Sequence, residues 1–213
     1  MEWYDLQTEL VDHLANSIEA QWQENPKISF EDALQMEFKK FGVFGFMTVV
    51  EERQIAVGKK YNKLVWQHLK SFFTLPQIIG TAGAFGLLFF IMQKFQFAYI
   101  VIITLLIATS VVFWIILIIM SNKNKKQAKL SGKKWLYKDI IFGFGSYGGA
   151  SYLPIQLAVQ LGDKIEYSFL TSIIVSISMV LILLYNYIIL KIIPSKVEEY
   201  LKQTYPEYQF VSS

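Results

Sequence analysis

Four stretches of the chain, near Phe72–Met92, Phe97–Met120, Ile140–Leu161 and Phe169–Leu190, contain no Asp, Glu, Lys, Arg or His. Each matches the ~20 apolar residues needed to cross the hydrocarbon core of a bilayer. A buried helix of a water-soluble core is shorter and shows a polar face, so four such runs within residues 72–190 exclude a soluble fold. They predict an all-α integral membrane protein with four transmembrane helices. Composition agrees: 54% of residues are hydrophobic and only 17% charged, against about a quarter charged in soluble domains.

Charge is divided along the chain. Residues 1–52 carry eleven acids and three lysines, while the remaining residues are strongly basic and bring the net charge to +3. Eight bases precede the first apolar run, seven (Lys123, Lys125, Lys126, Lys129, Lys133, Lys134 and Lys138) fall in the segment 121–139, and three follow the last run. The two short connections hold one each, Lys94 and Lys164. Basic residues accumulate on the cytoplasmic side of membrane proteins. The pattern therefore predicts both termini and the central lysine loop in the cytoplasm of a multi-pass protein. An even number of spans agrees. The lysines are read first as topology determinants and second as contacts for anionic lipid heads, each worth about 1 kcal/mol. A nucleic-acid surface is not expected, because stacking aromatics are sparse there. Trp135 and Tyr137 are read as interfacial aromatics. The acidic start lacks the basic and apolar regions of a secretory signal, and the N-terminus is expected to be retained. Nineteen of the twenty bases are lysine, which points to an A/T-rich bacterial genome.

No charged group within the spans marks a proton or ion path. Small residues do recur. Gly145 and Gly149 form a GxxxG pair in the third span, and Gly80 and Ala84 a weaker one in the first; such pairs let helix backbones approach closely. They serve either packing within one four-helix bundle or a homodimer face, and the packing reading is preferred. The connections "QKFQ" and "GDKIEYS" leave no room for a folded domain on the outer side.

Residues 1–71 read as about three helices. Leu6, Leu10, Leu14 and Ile18 form one stripe of a first helix, about Trp3–Trp22. Ser29, with Asp32 three residues on, predicts the cap of a second helix. Its apolar stripe is Phe30, Ala33, Leu34, Phe38 and Phe41, and Gly42 closes it. A third helix from near Val43 is expected to continue into the first span. After the last span, "SKVE" predicts a capping box and a helix from Ser195 to about Thr204. There Val197 and Leu201 would lie against the membrane or the head. The division is therefore a cytosolic head, 1–56; a basic juxtamembrane helix, 57–71; a four-helix transmembrane domain, 72–190; and a cytosolic tail, 191–213.

The segments "ELVDHLANSIE" and "SFEDALQMEFKKFG" resemble the HAAS-type helical domain and the similar permease-prefix domain of bacterial inner-membrane proteins. The resemblance rests on Asp12, His13, Leu14, Ile18, Glu19, Ser29, Glu31, Ala33, Leu34, Phe41 and Gly42, roughly a sixth of the chain. It implies a cytoplasmic regulatory or protein-interaction module, often found near PadR-like regulators, and implies no catalytic residue. His13, beside Asp12, is read as a helix-surface or capping group and not as a metal ligand. Cysteine is absent, and no nucleotide loop, nucleophile elbow or HExxH motif is present. The expectation is a regulatory or scaffold protein of the inner membrane, without enzymatic activity, cofactor or metal. Its acidic head would bind a cytosolic or membrane protein and pack over the lysines of 121–138. A transporter or permease subunit is the alternative.

Overall fold

The computed structural model describes residues 2–42, 45–95, 98–143, 168–205 and 208. The described residues are helical, with no strand among them. Among the described residues, three helices are long and apolar enough to cross a membrane. The third predicted span lies outside the described residues from 144 onward, and with it Gly145 and Gly149.

The chain opens with an antiparallel pair, α1 (Tyr4–Glu24) and α2 (Phe30–Lys40). The Ser29 hydroxyl accepts from the Asp32 amide at 3.1 Å and donates to the Asp32 carboxylate at 2.7 Å. The predicted cap is present. Gly42 follows at φ +69°, a left-handed conformation that glycine adopts without the cost of a Cβ. The predicted α2 stripe needs correction. Ala33 and Glu37 are the buried positions, whereas Phe30 and Phe38 are about half exposed. Ala33, four residues before Glu37, lets α1 approach closely, and the larger rings are displaced to the flank.

α3 (Phe46–Ser71) ends before the membrane. It does not run into the first span as predicted, because a turn over residues 72–76 separates it from α4 (Gln77–Lys94). Pro76 accounts for the break: it cannot donate a ladder hydrogen bond and disfavours helical geometry in the residue before it. α5 (Ala98–Ser131) is longer than predicted. The expected loop at 121–131 is a direct extension of the second span, since its Lys, Gln and Ala are all good helix formers. Thirty-four residues make a helix of about 51 Å, and a hydrocarbon core of about 30 Å accounts for only part of it. Gly132, at φ +66°, ends it.

After an extended stretch comes the short α6 (Leu136–Phe142). At Gly143 any Cβ would lie 2.2 Å from the Asp139 carbonyl oxygen, so glycine is required by contact. α7 (Phe169–Tyr187) packs chiefly against α4 and continues through a π-helical segment, Ile188–Ile192, into one turn, α8 (Ile193–Ser195). α9 (Val197–Thr204) follows. The predicted capping box is absent: the Ser195 hydroxyl donates to the Ile192 carbonyl at 2.8 Å, and no side chain caps α9. The helical path from α7 still runs through Ser195, and a serine inside a helix bonds backward.

A small cluster of Met92, Leu106, Val175 and Met179 joins α4, α5 and α7. The main core lies at the lysine-rich end of the spans. There Leu6 of α1, Tyr61 of α3, Phe113 of α5, Tyr137 of α6, Ile188 and Leu201 belong to one buried cluster. Val197 and Leu201 are both in it, facing the rest of the protein.

Candidate functional site at the lysine-rich end of the spans

α6 starts without a side-chain cap of its own. The first amides of any helix lack partners within it. The partner comes instead from the far end of the sequence. Asp5, only 4% exposed, accepts from the Leu136 amide at 3.1 and 3.2 Å through its two oxygens. One residue earlier, the Tyr4 amide donates to the Lys134 carbonyl at 2.7 Å. The Trp3 indole donates to Asp139 at 3.1 Å. Lys134 bridges Glu2 at 2.6 Å and Asp139 at 2.8 Å. The first turn of α1 is thus fastened to residues 134–139 by backbone and side-chain bonds together.

Burial pushes the Asp5 carboxyl above its ordinary value, against hydrogen bonds from Leu136 and Tyr205 that act to lower it. Burial also works to lower the Lys134 ammonium, but Asp139 and Glu2 overcome this and hold it above the usual lysine value. Burial raises the Tyr205 phenol, which the Arg53 charge acts to lower, and Arg53 pairs with Glu9 at 3.0 Å. α1 and α3 are joined in this way through one arginine.

The tail closes the other side. Lys138 donates to Glu198 at 3.0 Å and to the Tyr208 hydroxyl at 2.8 Å, and Tyr208 bonds Glu198 as well. Tyr208 stands edge-on to Trp135 at 4.9 Å between ring centroids. Beside them is a cavity of about 260 Å³ lined by Asn124, Ser131, Lys133, Lys138 and Glu198 among others. On α3, His68 meets the Tyr200 hydroxyl at 3.0 Å and Lys60 meets Thr204 at 2.7 Å.

The seven lysines of 121–139 therefore form two sets. Lys123, Lys125, Lys126 and Lys129 are exposed on the α5 extension. Lys133, Lys134 and Lys138 are half-buried, and each meets a group from a distant part of the chain; Lys133 lies over the Tyr4 ring at 4.4 Å. Trp135 and Tyr137 are not interfacial aromatics as predicted. Both are buried within the protein, packed by α1, α3 and the tail. Burial pushes the Tyr137 phenol up to about 12.

Of the head motif, Ile18 and Ala33 are buried, Leu14, Leu34 and Phe41 are half-buried, and Asp12, His13, Glu31 and Gly42 are exposed. His13 stands 6.3 Å from the Phe41 ring, beside a groove of about 340 Å³ between α1 and α3. Gly80 and Ala84 face outward, and a Cβ at Gly80 would meet nothing within 4 Å among the described residues.

Sequence reasoning missed Asp5, Glu37, Tyr205 and Tyr208. No sequence signal could have singled out Asp5, one acid among eleven in its region, because its partner is a backbone amide. No protein family, characterised protein or solved structure matches the chain.

Proposed function

We propose that this chain is a four-span regulatory or scaffold protein of the bacterial inner membrane, without enzymatic activity. Its N-terminal helices, HAAS-like in sequence, bind a protein partner in the cytoplasm. Both termini and the α5 extension lie on that side. The lysine distribution supports this orientation.

The observation that carries the regulatory reading is the attachment of α1 through Asp5 to Leu136. The first turn of α1 holds it against the membrane-proximal core, the next turn pairs with α3 through Glu9 and Arg53, and α2 packs on α1 and touches the start of α3 through Phe38 and Phe46. A partner that engages those helices and pulls on α1 acts on α6 and on the tail through the same contact. Sequence reasoning expected a weak, salt-screened attraction between an acidic head and the lysines. The buried Asp5–Leu136 contact, with the more exposed bonds of Glu2 and Trp3 beside it, makes a firmer latch, which a partner must displace by competing for it.

The test uses the full chain, tagged at its C-terminus and solubilised from the membranes of cells that make it. A specific protein should co-purify, and Asp5→Ala should change the amount retained. If no protein co-purifies in several mild detergents, the reading is wrong.

A further inference from the structure

No acid occurs between Glu52 and Asp139. Within that stretch Lys59, Lys63, Trp66, Lys70 and Phe73 recur at steps of four, three, four and three, which keeps them on one side of a helix. All are exposed, on α3 or just past its end, while Val57, Tyr61 and Val65 fill the core from the opposite side. Trp66 is 57%, Phe73 48% and Leu75 79% exposed. The Lys70 ammonium lies over the Trp66 ring, 5.8 Å from its centroid. Apolar side chains scattered singly over a surface need no explanation, but a run of them on one face does.

Position selects what covers it. The Phe72 ring meets that of Tyr187, the last residue of α7, at 6.2 Å, and the Phe72 carbonyl accepts from Thr81 of α4 at 3.1 Å. The turn after α3 therefore sits where two apolar helices end. Lys191 lies over the same Tyr187 ring at 5.9 Å. Rings interleaved with lysines at the ends of spans are the composition of a membrane–water interface. Beyond Leu75 the exposed Ile78 and Ile79 belong to α4, a helix fit to cross a membrane, where lipid is the neighbour. The open face of α3 is thus continuous with a lipid-facing one.

Charge agrees, and here it is not balanced. Lys59, Lys63 and Lys70 form no ion pair among the described residues. The acids of α3, Glu51 and Glu52, lie about two turns before Lys59. α9 meets α3 at Lys60 and His68; on it Glu198 and Glu199 are accompanied by Lys196 and Lys202, and Glu198 is held by Lys138. Two copies placed face to face would set lysine against lysine. An anionic headgroup layer is complementary.

We infer that the C-terminal half of α3 is an interfacial helix: Trp66, Phe73 and Leu75 enter the headgroup layer of the bilayer around the spans, and Lys59, Lys63 and Lys70 bind the phosphates of anionic lipids there. A helix with rings and lysines along one side lies in the plane of the interface. The lysine stems cover apolar surface while their ammonium groups stay with phosphate. This contact goes beyond the regulatory reading and holds whether or not a protein binds the N-terminal helices.

The chain has no cysteine, so single spin labels can be placed one at a time in the full chain, in nanodiscs of phosphatidylglycerol and phosphatidylcholine in equal parts. Oxygen gathers in the bilayer and a nickel chelate stays in water. The ratio of oxygen to nickel collisions should be several-fold higher for a label at Trp66 than for one at the exposed Ala20 of α1. Acetylation of Lys59, Lys63 and Lys70, followed by mass spectrometry, should be about fivefold slower than in phosphatidylcholine alone, the scale of one lysine's attraction to an anionic surface. Lys27, at the α1–α2 turn, should slow less. Lys63→Glu with Lys70→Glu, both at exposed positions, should lower the oxygen ratio at Trp66. A label at Trp66 as open to nickel as one at Ala20 would overturn the inference. So would a label shielded from both reagents, which would place a second copy on this face. Lysine rates indifferent to phosphatidylglycerol, or an oxygen ratio unmoved by the two glutamates, would overturn it as well.

Discussion

The carboxylate of Asp5 caps α6 from 131 residues away, accepting the Leu136 amide through both oxygens. A buried donor left without a partner costs about 1–3 kcal/mol, and a hydrogen bond to a charged group contributes about 1.5–3 kcal/mol. Asp5→Ala should therefore destabilise the junction by about 2–3 kcal/mol, read by chemical denaturation in detergent. Asp5→Asn keeps an acceptor for Leu136 and sheds the buried charge, so it should remain close to the parent protein. Equal losses for both variants would contradict the capping role.

The raised Asp5 value has a definite sign. A carboxyl whose folded value lies above its unfolded one binds its proton more tightly when folded. Its contribution to stability therefore falls as pH rises from the ordinary aspartate value through the raised one, and Asp5→Asn should remove that slope.

His68 works in the opposite sense. Burial first, and then the nearby Lys196 charge, hold its value below 6.5. Its contribution to the α3–α9 contact is complete above pH 6.5 and is lost as pH falls below it toward the lowered value. Denaturation midpoints between pH 5 and 7.5 should decline on the acid side, and His68→Gln should flatten that decline.

Gly143→Ala places a methyl group 2.2 Å from the Asp139 carbonyl oxygen. Backbone must move to admit it, at a cost of about 1–3 kcal/mol. A thermal midpoint unchanged from the parent would contradict the close approach.

Reporter fusions decide the threading. Fusions at Gln96 and Lys164 should read as outside and a fusion at Lys126 as inside. A fusion at Lys126 that reads as outside would reverse the proposed orientation.

The membrane helices were legible because a long run without an ionisable residue has few other uses. Their ends were less so. Lysines 123–129 suggested a loop by charge, although the residue types favour helix and only Gly132 supplies a stop. Pro76 carried its own signal, since proline ends helices, yet the amphipathic spacing of Val57, Tyr61 and Leu64 suggested continuity. The α2 stripe misled because hydrophobicity alone ranks Phe30 and Phe38 above Ala33, whereas close packing on α1 favours the small side chain. Trp135 and Tyr137 had the composition of an interface. What covers them comes from α1, α3 and the tail, and no local pattern records that convergence.

The central claim is that α1 is latched to α6, and hydrogen exchange at the Leu136 amide, with the full chain in nanodiscs, tests it most directly. That amide has no partner within its own helix, so its protection reports the Asp5 contact. It should exchange slowly in the parent protein and in Asp5→Asn, and quickly in Asp5→Ala, while amides in the middle of α5 stay unchanged. Fast exchange in the parent protein, or protection unaffected by Asp5→Ala, would contradict the latch.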